Sequence, residues 1–270
     1  MTFTGGEQPS ARPPQFPFEQ AYRDIPNLAE TMHFNGRVYD ILGQMATTQA
    51  AQHGTEHFWQ PARLVRAVVD SKVGGYERVG LLRAVTEYAA NAYTAAPTSS
   101  QYSDVVSRLA DHGLLGKWVE QTYDPTTLEA QLPMRAAAAA ERLHAHIGSR
   151  SLLVLPLCHG GLLPAIEGTA YYSRMAGRDA SMYPIRYSRT KSFDRKPKVR
   201  PEELDYLRDA AENRTVVVYD DDTGTGRTVG RTLSYLAEKG VQGDGLVGIV
   251  NYDRRSARRR SKQGNWFESF

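Results

Sequence analysis

Two textures of hydrophobic patterning follow one another along the chain. From about residue 19 to 133, apolar residues recur at three- and four-residue intervals, the period of an amphipathic helix. RLVRAVVDSKV (63–73) and RVGLLRAVTEYAANAY (78–93) carry this period most clearly. YSDVVSRLADHGLLGKWVEQTY (102–123) continues it, with Gly113 and Gly116 expected as breaks or caps. MRAAAAAERLHAHIG (134–148) predicts a further helix, rich in Ala and ended by Gly148.

Beyond residue 150 the apolar positions gather into short runs bounded by turn signals. SLLVLPL (151–157), SMYPIRY (181–187), TVVVYD (215–220) and GLVGIVNY (245–252) read as buried strands. Between them, GLLPAIEGTAYYSRMAG (161–177), PEELDYLRDAAE (201–212) and GRTVGRTLSYLAEKG (226–240) read as helices, Pro164 and Pro201 falling in first turns. Strands that alternate with helices imply an α/β fold with a parallel sheet covered on both faces. The chain is accordingly divided into a Gly/Pro-rich arm (1–18), a helical region (19–133), an α/β core (134–253) and a basic tail (254–270).

Composition adds bounds. The chain has 270 residues, 41% hydrophobic and 23% charged, as globular proteins commonly are. A net charge of +3 supports no whole-chain argument for nucleic acid, and none is expected as a partner. The positive charge concentrates in RRSARRRSK (254–262). That run reads as a solvated tail, a segment folding back onto an anion, or, with no aromatic residues interleaved, least well as a nucleic-acid contact. One cysteine, Cys158, excludes an intrachain disulfide and suits a reducing cytoplasm. No apolar run approaches the roughly 18 residues of a membrane span, and the N-terminus lacks the basic flank and apolar core of a signal peptide. A cytoplasmic protein without a membrane partner is expected.

The candidate chemistry lies in VVVYDDDTGTGRT (216–228). Ligands of open α/β sheets bind beyond the C-terminal ends of the strands. There, Gly224 and Gly226 permit a tight turn, Thr223, Thr225 and Thr228 add hydroxyls, and the following helix adds the positive end of its dipole. That is a cradle for phosphate. The three carboxylates beside it would repel phosphate and should face another part of the same ligand, with sugar hydroxyls and Mg2+ the candidates.

This stretch resembles the phosphoribosyl pyrophosphate (PRPP) signature of type I phosphoribosyltransferases, in which a hydrophobic strand leads into two acids and a loop ending Thr-Gly-x-Thr. Matching that ending to Thr225, Gly226, Arg227 and Thr228 puts the acidic pair at Asp220 and Asp221. The resemblance implies that this pair holds the ribose hydroxyls and Mg2+. It implies that Asp222, Thr223, Gly224, Thr225, Gly226, Arg227 and Thr228 surround the ribose and its 5′-phosphate. Asp222 and Thr223 stand at positions that are aliphatic in the family, so which two of the three acids meet the ribose stays open. Gly224 stands where the hypoxanthine-guanine enzymes carry an Asp, which argues against that acceptor class.

Two further segments resemble the family in the same order. VLPLCHGGLLPA (154–165) is similar to its pyrophosphate loop, with Cys158, His159, Gly160 and Gly161 at the turn. SRTKSFDRKPKVR (188–200) lies where the family has a mobile loop, which would bring Arg189, Lys191 and Lys196 to the leaving group. Tyr252 and Asp253 leave the last strand where relatives contact the acceptor. The resemblance covers about 134–253 and implies an enzyme that displaces pyrophosphate from PRPP by a small-molecule acceptor, with Mg2+, as a homodimer. The helical region could supply a hood over the acceptor. A PRPP- or nucleotide-sensing regulator, or a nucleotide-cleaving enzyme on the same fold, is the alternative.

Other readings fit less well. A plain acidic turn would not require the glycine spacing and the Thr-Gly-x-Thr ending together. A haloacid-dehalogenase-like motif fits Asp220 and Asp222 but meets Gly224 where it needs Thr. No Gly-Lys-Ser/Thr of a P-loop occurs. His53 and His57 have helical spacing without a third metal ligand. Cys158, without a base partner, reads as a buried strand-end residue rather than a nucleophile.

Overall fold

A computed structural model of the protein describes residues 29–51, 58–94, 98–121, 128–158, 160–187, 196–223, 226–253 and 268–269. Strand β1 (Phe34–Arg37) leads into helix α1 (Val38–Ala51). Helices α2 (Gln60–Val69), α3 (Gly75–Thr94) and α4 (Ser99–Asp111) follow, then strand β2 (Trp118–Gln121). The helix expected over 63–73 starts earlier, because Pro61 seats in its first turn where no N–H is needed.

The helix expected over 102–123 is corrected. It stops at Asp111, where the Leu114 N–H turns back to the Leu109 carbonyl past Gly113. Residues 118–121 are a strand instead, with Val119 buried between exposed Trp118 and Glu120, the alternation of a half-buried strand. β2 pairs antiparallel with β1, Asn35 opposite Glu120. The region expected to be helical throughout therefore contains a two-stranded sheet. Arg63 of α2 anchors it. Its guanidinium lies 4.8 Å from the Phe34 ring centre and donates to the Gln121 side chain and to the Thr31 and Met32 carbonyls.

A single 3-10 turn (Glu129–Gln131) precedes α5 (Pro133–Ile147). Then come β3 (Leu152–Cys158), α6 (Leu162–Ala176), β4 (Ala180–Met182) and β5 (Ile185–Arg186). The chain continues through α7 (Pro201–Ala211), β6 (Thr215–Thr223), α8 (Arg227–Glu238), β7 (Gly245–Asp253) and β8 (Glu268–Ser269). The strand order is β4-β3-β6-β7-β8, with β5 also on β3. All pairings are parallel except that of β8. The protein is thus α/β with a mostly parallel sheet, and β3 is buried at every position, as a strand covered on both faces must be.

The strand expected over 181–187 is split into β4 and β5. Pro184 lies at the break and has no N–H for the ladder, while the Tyr183 N–H still reaches the Val154 carbonyl at 2.9 Å. Leu152 faces Ala180 and Leu157 faces Ile185, so the interruption leaves the register unshifted.

Right-handed crossovers in this strand order put α6 on one face and α7 and α8 on the other. α5 packs against α6 and β7, and α3 packs against α6, α7 and the edge strand β4. One buried apolar cluster runs from Met32 to Val250, so the N-terminal helices and the sheet share a core. No described helix is long and apolar enough to cross a membrane.

Candidate functional site

The chain leaves β3 toward β4 on one side and returns to β6 on the other. Between these two strands the connections diverge to opposite faces and open a crevice at the C-terminal strand ends, the usual ligand position in such sheets. Two segments far apart in sequence meet there: the Gly160–Gly161 turn after β3 and the acids at the end of β6.

β6 was expected to end at Asp220. It runs on to Thr223, paired with β7 through Asp220 opposite Val250, Asp222 opposite Tyr252 and Thr223 opposite Asp253. The acids are therefore strand residues, whose successive side chains leave opposite faces. Asp221 turns to the α6 face and is 8% exposed, whereas Asp220 is half-buried. The Asp221 N–H donates to Asp220 Oδ1 at 3.1 Å.

The glycines are dictated by this proximity. A Cβ on Gly160 would collide with the Asp221 carboxylate, 2.6 Å from its Cγ. A Cβ on Gly161 would lie 2.6 Å from the Tyr219 carbonyl oxygen and 3.1 Å from Asp220 Cα. Only glycine lets this turn approach the strand so closely. Gly161 also opens α6: its N–H donates to the Leu157 carbonyl and its own carbonyl accepts from Ala165. On the other side Gly226, at φ 72°, precedes α8, a conformation that side chains rarely adopt. The N-termini of α6 and α8 thus both end at the crevice and bring the positive ends of their dipoles to it. Arg227 is exposed and Thr228 half-buried at the start of α8.

A polar tie beneath the acids was not read from the sequence. The Tyr219 hydroxyl donates to Asn251 Oδ1 at 2.6 Å, and Asn251 Nδ2 donates to the Ala130 carbonyl at 2.9 Å. Tyr219 fits because Gly168 of α6 has no side chain, a Cβ there lying 2.7 Å from its hydroxyl. Gln131 Nε2 approaches the Gly160 carbonyl at 3.5 Å. The 129–131 turn is thereby fixed at the rim of the crevice. The available signal was Asn251 itself, an amide near the end of an otherwise apolar buried strand.

Cys158 is the last residue of β3 and is buried, so its side chain does not line the loop proposed for it. Burial pushes its thiol well above the ordinary value, which leaves no thiolate to react. Lys196 is exposed within the segment expected as a mobile loop at 188–200, whose end is held to β5 by the Lys198 N–H on the Arg186 carbonyl at 3.0 Å. His159, Arg189, Lys191, Gly224 and Thr225 lie outside the described residues, as do His53 and His57. For Asp222, Thr223, Tyr252 and Asp253 the backbone register is described and the side chains are not.

Two adjacent carboxylates at a strand end match what Mg2+ takes from a protein, the rest of its shell coming from water and substrate oxygens. No group of three or more His, Cys, Asp or Glu able to hold a metal occurs among the described residues. No protein-family model matches the chain, and no curated protein matches it.

Proposed function

We propose that the protein is a PRPP-dependent phosphoribosyltransferase of the type I kind. The observation that carries this reading is the meeting of the Gly160–Gly161 turn with Asp220 and Asp221 across the crevice between β3 and β6. The ligand implied must offer hydroxyls to carboxylates and oxyanions to helix N-termini within one small volume. A ribose carrying a 5′-phosphate and a pyrophosphate does so.

In this mechanism Asp220 and Asp221 accept hydrogen bonds from the ribose hydroxyls and fix the sugar. The first-turn N–H groups of α8, behind Gly226, hold the 5′-phosphate. The Gly160–Gly161 turn and the N-terminus of α6 hold the pyrophosphate. Mg2+, when bound by the carboxylates and the ligand, supplies charge neutralisation for the leaving group. An acceptor nucleophile attacks the anomeric carbon as the bond to the pyrophosphate oxygen breaks, and that oxygen leaves with the electron pair. The protein's contribution is positioning and stabilisation of the departing charge, to which Arg189 and Lys191 of the 188–200 segment add. The acceptor is not of the hypoxanthine-guanine type, since Gly224 brings no carboxylate.

Calorimetric titration of PRPP with Mg2+ tests the reading. The wild type binds, and Asp220→Asn combined with Asp221→Asn weakens binding about hundredfold or more while the fold is retained. Unchanged binding in the double variant overturns the assignment. Pyrophosphate release with a pool of small-molecule acceptors then separates transfer from PRPP sensing.

A further inference from the structure

Asn251 is a buried amide that follows the apolar run of β7. A buried amide destabilises a sheet unless its polar atoms are paired. The two ends of this one serve different segments. Oδ1 accepts from the Tyr219 hydroxyl of β6 at 2.6 Å, and Nδ2 donates to the Ala130 carbonyl at 2.9 Å. Ala130 is itself fully buried, in a 129–131 turn that packs against α5, α6, β6 and β7.

The contacts continue beyond that turn. Gln131, the next residue and also buried, directs Nε2 at the Gly160 carbonyl, 3.5 Å away. Gly160 lies against the Asp221 carboxylate, so close that a Cβ would overlap it. Asp221 stands two residues after Tyr219 on β6. The series Tyr219, Asn251, Ala130, Gln131, Gly160, Asp221 therefore closes on itself. It joins β6 and β7 to the turn before α5 and the turn after β3.

The two walls of the crevice are held differently. β6 is laddered to β7 as far as Thr223, so the backbone of Asp220 and Asp221 is fixed by main-chain bonds. The β3–β6 ladder ends at Pro156 opposite Tyr219, and the β3–β5 ladder ends at Cys158 opposite Arg186. Gly160 comes after both. Gly161 is fastened to Leu157 and Ala165 by main-chain bonds, and the Gly160 carbonyl is met by Gln131. A tie that served only the sheet would account for Tyr219 with Asn251. It would not account for the second half of the series, which leaves the sheet for the 129–131 turn and ends at Gly160.

We propose that Asn251 and Gln131 are positioning residues for the Gly160–Gly161 turn, setting its distance from Asp221 and thereby the fit of a pyrophosphate against it. The identity of that ligand rests on the phosphoribosyltransferase reading; the positioning of the turn rests on the contacts. Both side chains act through Gly160 rather than on the ligand. A small displacement of the turn weakens what the turn holds and spares what the acids and α8 hold.

Full-length protein with Mg2+ is titrated calorimetrically with PRPP and, separately, with ribose 5-phosphate, which shares the sugar and its phosphate and lacks the pyrophosphate. Asn251→Leu and Gln131→Leu each weaken PRPP about tenfold and change ribose 5-phosphate by less than about twofold. Because the two side chains are links in series, the double variant weakens PRPP no more than the worse single one. Independent contributions would multiply to about hundredfold. Equal loss of both ligands, multiplied losses, or unchanged PRPP affinity in Gln131→Leu overturns the positioning role. Gln131 lies outside the sheet, so its variant gives the answer even if Asn251→Leu does not fold. Amide hydrogen exchange of the unliganded protein separates positioning from ligand identity. The Gly161 N–H exchanges about tenfold faster in Gln131→Leu than in wild type, while the Val217 and Val218 amides of β6 do not change. If PRPP fails to bind the wild type and Gly161 exchange still rises, the positioning role stands and the phosphoribosyltransferase reading falls. If Gly161 exchange is unchanged, the positioning role falls whatever PRPP does.

Discussion

A methyl group added at Gly160 and one added at Gly161 strike different things. The first meets the Asp221 side chain, which can swing away; the second meets the Tyr219 and Leu157 carbonyls, which are held in the sheet. Gly161→Ala therefore costs stability, about 1–3 kcal/mol as for other overpacked sites, read as a lower urea midpoint at unchanged slope. Gly160→Ala leaves the unfolding free energy within about 1 kcal/mol of wild type and displaces Asp221, so PRPP affinity falls about tenfold. Loss of PRPP binding without loss of stability is the signature that separates the two. At this scale the sequence is legible where chemistry is contiguous: the acids, the glycines and the helix start all fall within residues 216–228. It is illegible where partners are distant, as with Asn251 and the Ala130 carbonyl, or where strand length decides direction. Asp221 faces Gly160 because β7 keeps β6 paired as far as Thr223.

Among elements, the helices carrying a strong three-to-four period or an Ala-rich run were visible locally, α3 and α5 above all. β1 and β2 were not, because each is four residues long and their pairing joins positions such as Asn35 and Glu120. The period of 102–111 also runs smoothly into 118–121, and only the reversal past Gly113 separates them. The docking of α3 on α7 depends on another distant pair. Arg78 donates to Glu203 and to the Val68 and Val69 carbonyls, and Glu203 closes the start of α7 by accepting from the Arg200 N–H. Removing one member leaves the other charge buried and unmatched. Arg78→Met or Glu203→Leu alone costs about 3–5 kcal/mol. The double variant costs less than the two single losses added together, measured as a coupling in a denaturation cycle.

For the whole molecule, alternating strands and helices announced the α/β class, but not that the N-terminal helices would share its core. Glu167 lies within that shared core. It sits on α6, 2% exposed, with Oε2 unpartnered, and electrostatically coupled to Tyr93 of α3 and Tyr219 of β6. Burial raises its carboxyl pKa well above the ordinary 4.5. In the folded protein the acid therefore holds its proton to higher pH than in the unfolded chain. The folded state is favoured while both forms are protonated, and it loses that advantage as pH rises from about 4.5 toward the folded pKa. Each unit between the two values removes about 1.4 kcal/mol by the time the pH exceeds both. Glu167→Gln keeps the shape and cannot ionise, so it escapes this loss. Its melting temperature relative to wild type should climb steadily between pH 5 and pH 8, whatever the offset at pH 5. A difference that stays constant across that range would mean that Glu167 ionises in the folded core as readily as in water. Tyr93 and Tyr219, both raised by burial, titrate too high to mimic the effect.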